Sequence, residues 1–247
     1  MHLVIPARYS STRLPGKALL DIGGKPLLQW VYEKARESNA ETITIATDDD
    51  RIRQAAEAFG AEVCMTSNTH QSGTDRIAEV ISLKKWRDDD IVVNLQGDEP
   101  LMPASLLDQV AKTLVSHDRA VMSTACHEID NERDYSDSDV VKVVVDKEGY
   151  ALYFSRASIP WHRDAISNGV TPDSPGYRHI GLYAYRAGFV KEYAQWSPCK
   201  LETAESLEQL RVLWHGRQIA VCQATELPGH GVDTKADLER VRDILAK

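Results

Sequence analysis

The chain has 247 residues, of which 43% are hydrophobic, so it can bury a sizeable core in one domain or two small ones. Its 29 Lys and Arg against 37 Asp and Glu give a net charge of −8, which argues against broad binding to nucleic acids or anionic membranes, because both favour basic surfaces. The four cysteines form no C-x-x-C pair, the first residues carry no signal-peptide pattern, and no apolar run approaches the ~18 residues of a membrane span, so we expect a cytoplasmic protein without membrane contact.

The first half of the chain alternates strand-like and helix-like patterns. Strands are predicted at 3–7, 41–47, 61–66 and 90–96, and helices at 25–38, 48–60, 72–86 and 103–117. Such βα repetition predicts a parallel sheet with helices on both faces.

The later part changes character. A hairpin is predicted at 140–156, turning at Lys147-Glu148-Gly149, and a strand at 178–186. Helices are predicted near 187–196 and 202–214, then a strand at 218–225, a final helix from 235, and a surface loop at 163–177. We therefore predict one mixed, mostly parallel α/β domain over 1–247, with a β-rich part at about 120–200.

A basic loop directly follows the first strand. Arg8, Arg13 and Lys17 lie in "RYSSTRLPGK", where prolines and a glycine oppose a helix. The loop matches neither a Walker motif nor G-x-G-x-x-G. Ligands of open α/β sheets bind at the carboxyl ends of strands, so we predict that this loop holds a polyphosphate, the alternative being a solvated basic loop.

Acidic residues follow another predicted strand. In "NLQGDEP", Asp98 and Glu99 come after a buried run, and Gly97 permits close approach. Paired carboxylates suit Mg²⁺, which completes its octahedron with phosphate and water oxygens. The alternative is a polar turn. Asp233, in "GHGVDTKADLE", is either a second carboxylate for that ion or part of a helix cap, and the residues alone leave both open.

Three further groups of polar residues are candidates for binding. Ser72, Gly73 and Thr74 in "HQSGTDR" offer N–H and hydroxyl groups to a base or a phosphate, although plain N-capping explains them too. Side chains at the ends of later strands would grip a carboxylate and hydroxyls, or form surface ion pairs: Arg156, Arg178, His179 and Tyr183. Glu208 and Gln209 lie in a helix that is otherwise mostly core.

Several long blocks resemble one known family, the 3-deoxy-manno-octulosonate (KDO) cytidylyltransferases, or CMP-KDO synthetases. The blocks are "IPARYSSTRLPGKAL", "HQSGTDR", "VNLQGDEP", "VVKVVVDKEGYALYFSRASIPW", "RHIGLYAYR", "ESLEQLRVLW" and "GVDT-ADLERVR". They follow the family's order and span nearly the whole chain. The resemblance implies a Rossmann-like nucleotidyltransferase fold, a homodimer formed through the β-rich part, a need for CTP and Mg²⁺, and activation of KDO for lipopolysaccharide assembly in the bacterial cytoplasm.

The resemblance also implies roles for individual residues, with no role assigned to the loop at 163–177. The phosphates of CTP would be held by Ala7, Arg8, Arg13 and Lys17. The rest of the CTP site would comprise Ser72, Gly73, Thr74 and Gln96. Magnesium would be bound by Asp98 and Asp233, which with Arg8, Arg13 and Lys17 form the predicted catalytic set. The sugar would face Gln96, Arg156, His179, Tyr183, Glu208 and Gln209.

Other functions fit the sequence less well. Sialate cytidylyltransferases open with a glycine-rich "RGGSKGIPxKN" pattern where this chain has "RYSSTRLPGKAL". The sequence does not support a nicotinamide-dependent dehydrogenase, because no G-x-G-x-x-G follows the first strand. A non-catalytic nucleotide sensor would not need Asp98 and Asp233. Preference for an amino-substituted KDO, or use of the product in a capsule, stays open at this point.

Overall fold

The protein is described from a computed structural model, which covers residues 1–10, 14–70, 72–163 and 176–245. The strands are β1 (His2–Pro6), β2 (Asp21–Ile22), β3 (Lys25–Pro26), β4 (Thr42–Thr47), β5 (Glu62–Met65), β6 (Ile91–Asn94), β7 (Ala120–Glu128), β8 (Lys142–Val145), β9 (Ala151–Ser155), β10 (Tyr177–Arg186) and β11 (Gln218–Gln223). The helices are α1 (Leu27–Ala35), α2 (Asp50–Ala58), α3 (Gly73–Lys84), α4 (Ala104–Ser116), α5 (Glu132–Ser136), α6 (Ala187–Tyr193), α7 (Lys200–Glu205), α8 (Gln209–Trp214) and α9 (Lys235–Leu245).

The main sheet runs in the order β11–β7–β10–β6–β1–β4–β5. As the βα repetition predicts, β1 pairs in parallel with β4 and β6, and β4 with β5. The long strand β10 runs antiparallel to both of its neighbours, β6 and β7. The predicted hairpin is also present, because β8 and β9 pair with each other and join the sheet through β10. The predicted fold class, a mixed and mostly parallel α/β sheet flanked by helices, is therefore confirmed.

Helices cover both faces of the sheet because side chains alternate along its strands. In β1, Leu3 and Ile5 belong to one buried cluster, whereas Val4 belongs to another. The first cluster includes residues of α1 and α4, and the second includes residues of α3 and α6. A third, smaller cluster packs α9 against α1 through Leu27, Val232, Leu238 and Val241.

One predicted helix is wrong in its extent. The pattern predicts a single helix over 202–214, whereas the structure has α7 and α8, separated where Ser206 adopts a left-handed conformation (φ 53°). The interruption turns Leu207 into the core, where it is 7% exposed, and leaves Glu208 and Gln209 at the start of a new helix. Strand β7 was not among the predicted elements. Most of the predicted loop at 163–177 lies outside the described residues.

A buried lysine organises the β-rich part of the fold. Lys142 in β8 is fully buried, and its ammonium donates to the carbonyls of Asp137 (2.8 Å), Val140 (2.6 Å) and Arg156 (2.6 Å). Burial lowers its pKa, although the three carbonyls favour the protonated form. Lys142 therefore ties the loop before β8 to the end of β9. Within the described ranges, no helix combines the length and apolar character needed to cross a membrane.

Candidate functional site

The loop after β1 is closed by contacts around Tyr9. The carbonyl of Tyr9 accepts a hydrogen bond from the N–H of Gly16 (3.0 Å), and the Arg51 guanidinium lies 3.3 Å from the centre of the Tyr9 ring. Gly16 has φ +68°, and a Cβ there would lie 3.3 Å from the same ring. A residue with a left-handed backbone and little room favours glycine. Gly16 in turn leads into a short 3₁₀ turn, Lys17–Leu19, which fixes the position of Lys17.

Lys17 joins the two carboxylates that the sequence suggests as metal ligands. Its Nζ lies 2.5 Å from Asp98 Oδ2 and 3.0 Å from Asp233 Oδ1. Burial opposes the charge of the ammonium, but the two carboxylates more than offset that effect, so the pKa of Lys17 is raised. Residues separated by 81 and 216 positions thus converge on one cation.

Backbone pairing between two loops explains why Asp233 lies near Asp98. The N–H of Val232 donates to the Asp98 carbonyl (2.9 Å), and the N–H of Gly229 donates to the Leu101 carbonyl (3.1 Å). Val232 is fully buried, which anchors the segment. A Cβ at Gly229 would lie 2.6 Å from the Leu101 Cβ, so a larger residue there would push the two segments apart. The segments that carry Asp98 and Asp233 are therefore neighbours, which brings the two carboxylates close enough to share a cation.

Gly97 has the role that the sequence predicts. A Cβ at this position would lie 2.9 Å from the carbonyl oxygen of Pro6, at the end of β1. The absence of a side chain therefore lets the end of β6 approach the end of β1, and brings Asp98 to the basic loop.

A third acidic side chain, Glu99, lies close to Lys17 and its two carboxylate partners. Burial raises the pKa of Glu99 to about 8, with further contributions from Asp98 and Asp233, while Lys17 lowers it. Glu99 is therefore largely protonated at neutral pH, whereas Asp98 and Asp233 present two carboxylates that can hold a cation. Among the described residues, no group of three or more His, Cys, Asp and Glu side chains could hold a metal ion alone. Two carboxylates are nevertheless a sufficient protein ligand set for Mg²⁺ when substrate phosphates supply further oxygens, so the donor set fits that ion.

Two adjoining cavities lie at the carboxyl ends of β1 and β6. The loop cavity, of about 390 Å³, is lined by Pro6, Ala7, Arg8, Ser10, Lys17, Ala18, Gly73, Gln96, Gly97, Asp98 and Asp233. The tyrosine cavity, of about 220 Å³, is lined by Gly73, Thr74, Asn94, Gln96, Met122, Tyr183, Tyr185, Tyr193, Ser206, Leu207, Glu208, Gln209 and Val212. Gly73 and Gln96 line both, so the cavities meet at these two residues.

The start of α3 serves two purposes. Ser72 caps the helix, because its hydroxyl accepts from the N–H of Asp75 (3.1 Å) while the Asp75 carboxylate accepts from the N–H of Ser72 (3.2 Å). The capping alternative is therefore correct for the Ser72 side chain. Thr74 instead faces the tyrosine cavity, where its hydroxyl donates to Glu208 Oε2 (3.3 Å). Burial raises the pKa of Glu208, and the hydrogen bond from Thr74 opposes that rise.

The remaining predicted sugar-binding residues differ in their positions. His179 lies next to Tyr183, with 5.4 Å between ring centroids. Arg156 is not among the described residues that line either cavity, and its guanidinium donates to the carbonyls of Glu205 (2.8 Å) and Ser138 (2.9 Å). The role of Arg156 in sugar binding stays a prediction. Arg178 is 3.7 Å from Asp134 in an exposed ion pair, and Arg13 lies outside the described residues.

Sequence reasoning missed several residues of the tyrosine cavity. Asn94 is the last residue of β6, and Tyr185 lies on the same face of β10 as Tyr183. Burial raises the pKa of Tyr185 and of Tyr193, so both phenols stay neutral. The one available signal was an asparagine at the end of an otherwise apolar run, "IVVN", since buried polar residues need a partner.

The half-buried imidazole of His179, which packs against Phe154 and lies 2.9 Å from the Thr124 hydroxyl, generates a prediction about the pH dependence of stability. Burial lowers its pKa from 6.5 to about 3. Between these two pH values the imidazole is therefore protonated in the unfolded chain and neutral in the folded chain. This group should therefore leave the free energy of unfolding unchanged above pH 7. The free energy of unfolding should fall from pH 7 towards pH 3, and by about 2 kcal/mol between pH 7 and pH 5. The free energy of unfolding can be measured by urea titration at pH 7 and at pH 5. Between these pH values it should fall by about 2 kcal/mol less in His179→Gln than in the wild type. The exposed His230→Gln should behave as the wild type, and equal losses in all three proteins would contradict the prediction.

Comparisons with known proteins agree with this geometry. A family model described as cytidylyltransferase matches residues 2–219. A 3-deoxy-manno-octulosonate cytidylyltransferase from Aliivibrio fischeri (strain MJ11) is 57% identical over 246 residues, covering 99% of this chain and 98% of its own. One from Vibrio cholerae serotype O1 (strain M66-2) is 56% identical over 246 residues, covering 99% and 97%.

Solved structures support the same conclusion. A CMP:2-keto-3-deoxy-manno-octonic acid synthetase complexed with CTP has a TM-score of 0.90 and 42% identity, covering 99% of this chain and 98% of its own. A cytidylyltransferase from Leptospira borgpetersenii, at 16% identity and a TM-score of 0.64 over 99% of this chain and 86% of its own, shares the fold alone. On these matches, together with its sheet order and the two cavities at the ends of β1 and β6, the chain belongs to the cytidylyltransferase family.

Proposed function

We propose that this protein transfers CMP from CTP to KDO, giving CMP-KDO and pyrophosphate for lipopolysaccharide assembly in the cytoplasm. The observation that carries the proposal is the meeting of the two cavities at Gly73 and Gln96. One cavity offers cations and carboxylates to a triphosphate, and the other offers hydroxyl and amide groups to a sugar. The names of relatives at 56–57% identity support CTP and KDO as the two substrates.

The main obstacle to this reaction is electrostatic. A sugar carboxylate about 4 Å from a phosphate charge is repelled by about 4 kcal/mol at an effective dielectric constant of about 20. Because each ~1.4 kcal/mol changes a rate tenfold, such repulsion would slow the reaction by several powers of ten. Arg8 and Lys17, which line the loop cavity, would offset this repulsion at the phosphates. Arg13 is proposed to join them.

In the proposed mechanism the anomeric hydroxyl of KDO attacks the α-phosphorus of CTP, and pyrophosphate leaves. Lys17 would turn from the carboxylates to the β- and γ-phosphates and would stabilise the departing pyrophosphate. Asp98 and Asp233 would hold Mg²⁺, which when bound supplies charge neutralisation and a lower pKa for the attacking hydroxyl. Ala7 and Gly73, which line the loop cavity, and the backbone of Ser72 would complete the nucleotide site. Thr74 lines only the tyrosine cavity, so its role in binding CTP stays a prediction.

The sugar site is proposed to lie in the tyrosine cavity. Gln96 would contact both substrates because it lines both cavities. Tyr183, Glu208 and Gln209 would face the sugar directly. His179 would pack against the Tyr183 ring as a neutral imidazole and fix its position.

A direct assay separates this proposal from its rivals. The purified chain is offered each of the four NTPs with KDO or with a sialic acid, in Mg²⁺ or in EDTA, and pyrophosphate is measured. We expect release with CTP, KDO and Mg²⁺ together. Preference for the sialic acid would indicate a sialate cytidylyltransferase, and nucleotide binding without pyrophosphate release would indicate a sensor. Full activity in EDTA would refute the proposed requirement for Mg²⁺.

The substitution Asp98→Asn tests the role of the carboxylate. We expect the circular dichroism spectrum and the melting temperature to be retained and turnover to fall about 10³-fold, which corresponds to about 4 kcal/mol of lost transition-state stabilisation. The matched control Asp243→Asn changes an exposed carboxylate of α9 and should keep wild-type turnover. Near-normal activity of Asp98→Asn in Mg²⁺ would show that the assignment is wrong.

We also propose a homodimer formed through the β-rich part. Leu152 in β9 is 60% exposed and Trp161 is 65% exposed. Among the described strands β9 pairs with β8 alone, and an edge strand carrying large apolar side chains favours association. Sedimentation at micromolar concentration should give twice the mass of one chain, and Leu152→Lys should shift it towards the monomer. A wild-type monomer under these conditions would contradict the proposal.

A further inference from the structure

Two side chains in the tyrosine cavity have buried polar atoms without a partner. Asn94 Oδ1 and Gln209 Nε2 are buried and make no hydrogen bond within the described part of the protein, and the two residues are 2% and 5% exposed. Both line the same cavity of about 220 Å³. Because native proteins seldom leave buried polar atoms unpaired, such atoms in a cavity indicate groups that a ligand completes.

The positions of both side chains are set by the fold. Asn94 ends β6 directly opposite Tyr183 in β10, and its side chain lies within hydrogen-bonding reach of the Tyr185 hydroxyl, as does that of Thr74. This contact engages the amide nitrogen of Asn94 and leaves its oxygen available. Gln209 begins α8, immediately after the interruption at Ser206–Glu208. The break in the predicted helix therefore delivers Gln209 to the cavity.

The chemistry of the two atoms selects among ligand groups. Asn94 Oδ1 accepts a hydrogen bond and Gln209 Nε2 donates one. A hydroxyl both donates and accepts, whereas an ammonium only donates and an ionised carboxylate only accepts. An uncharged hydroxyl is therefore the group that satisfies both atoms.

The rest of the cavity lacks a counter-charge for an anion. Among the described residues that line it, there is no Lys or Arg, and the titratable side chains are Glu208 and three tyrosines. Met122, Leu207 and Val212 supply apolar surface. A sugar carboxylate would be repelled by Glu208 and unpaired here, so the hydroxyl-bearing part of the substrate is the better occupant.

We propose that Asn94 and Gln209 together read a hydroxyl of the sugar acid, and that Asn94 is a specificity-determining residue of the enzyme. This inference rests on the proposed function and deepens it by naming the substrate group that the tyrosine cavity selects. A sugar lacking that hydroxyl, or carrying an amino group in its place, leaves at least one of the two buried atoms unpaired.

The test combines variants of the protein with variants of the sugar. Asn94→Leu removes the acceptor at similar volume, Gln209→Met removes the donor, and Asn39→Leu makes the same change at an exposed asparagine outside both cavities. Each protein is assayed for pyrophosphate release with CTP and KDO, with KDO analogues lacking one hydroxyl at a time, and with an amino-substituted analogue. Melting temperatures and the KM for CTP are measured alongside.

For the wild type and Asn39→Leu, we expect the kcat/KM for one deoxy analogue to be about 10- to 100-fold lower than that for KDO. This is the range that one unpaired buried group implies. In Asn94→Leu the kcat/KM for KDO should fall by a similar factor, and the variant should no longer distinguish KDO from that analogue. Its KM for CTP should stay within about twofold of the wild type. Its melting temperature should change little, because the lost contact with Tyr185 is offset by removal of an unpaired buried oxygen.

Two results would overturn the inference. Undiminished discrimination by both Asn94→Leu and Gln209→Met would show that other groups read the hydroxyls. Wild-type kcat/KM for KDO in both variants would have the same meaning. If the wild type releases pyrophosphate with CTP and KDO, either result refutes this inference alone, whereas a wild type inactive with KDO refutes the proposed function and the inference with it. Gln209→Met decides the question if Asn94→Leu does not fold.

Discussion

The arrangement of the site depends on one ammonium held between two carboxylates. Lys17 contacts both Asp98 and Asp233, which lie 135 positions apart in the chain, and its positive charge helps the two carboxylates to lie close together. Glu99 lies beside them and has a pKa raised to about 8 by burial and by the two carboxylates, so it is largely protonated at neutral pH. We propose that Asp98 and Asp233 accept a further cation together with an anionic ligand, which would draw Lys17 away.

That contact in turn depends on two glycines that allow loops to lie against each other. Gly97 lets the end of β6 approach the Pro6 carbonyl, and Gly229 lets the segment before α9 lie against Leu101. The hydrogen bond from Val232 to Asp98 then sets the distance between the two carboxylates. The same α/β sheet that buries the core thus places three chain segments, from residues 17, 98 and 233, at one edge, where the ends of parallel strands meet.

Much of this arrangement was predictable from local patterns, because strand alternation, helix caps and turn glycines act over a few residues. The βα repetition from β4 to α4, the hairpin at Gly149 and the capping box at Ser72 follow from such patterns. The burial of Lys142 could not be predicted because its partners are backbone carbonyls, which carry no sequence signal. The partner of Asn94 is Tyr185, which lies far along the chain, so the asparagine that ends "IVVN" was the only local sign of its role. The break at Ser206 was missed because the apolar spacing continues through it, and the residue adopts a left-handed conformation that sequence periodicity does not report.

We propose that Asp98 and Asp233 form a cation site that Lys17 occupies only until substrate arrives. A crystal structure of the full chain with CTP and Mg²⁺ tests this directly. We expect an ion in contact with an oxygen of each carboxylate, and Lys17 Nζ moved onto a phosphate oxygen. An unchanged contact of Lys17 with both carboxylates, with the ion bound elsewhere on the triphosphate, would contradict it.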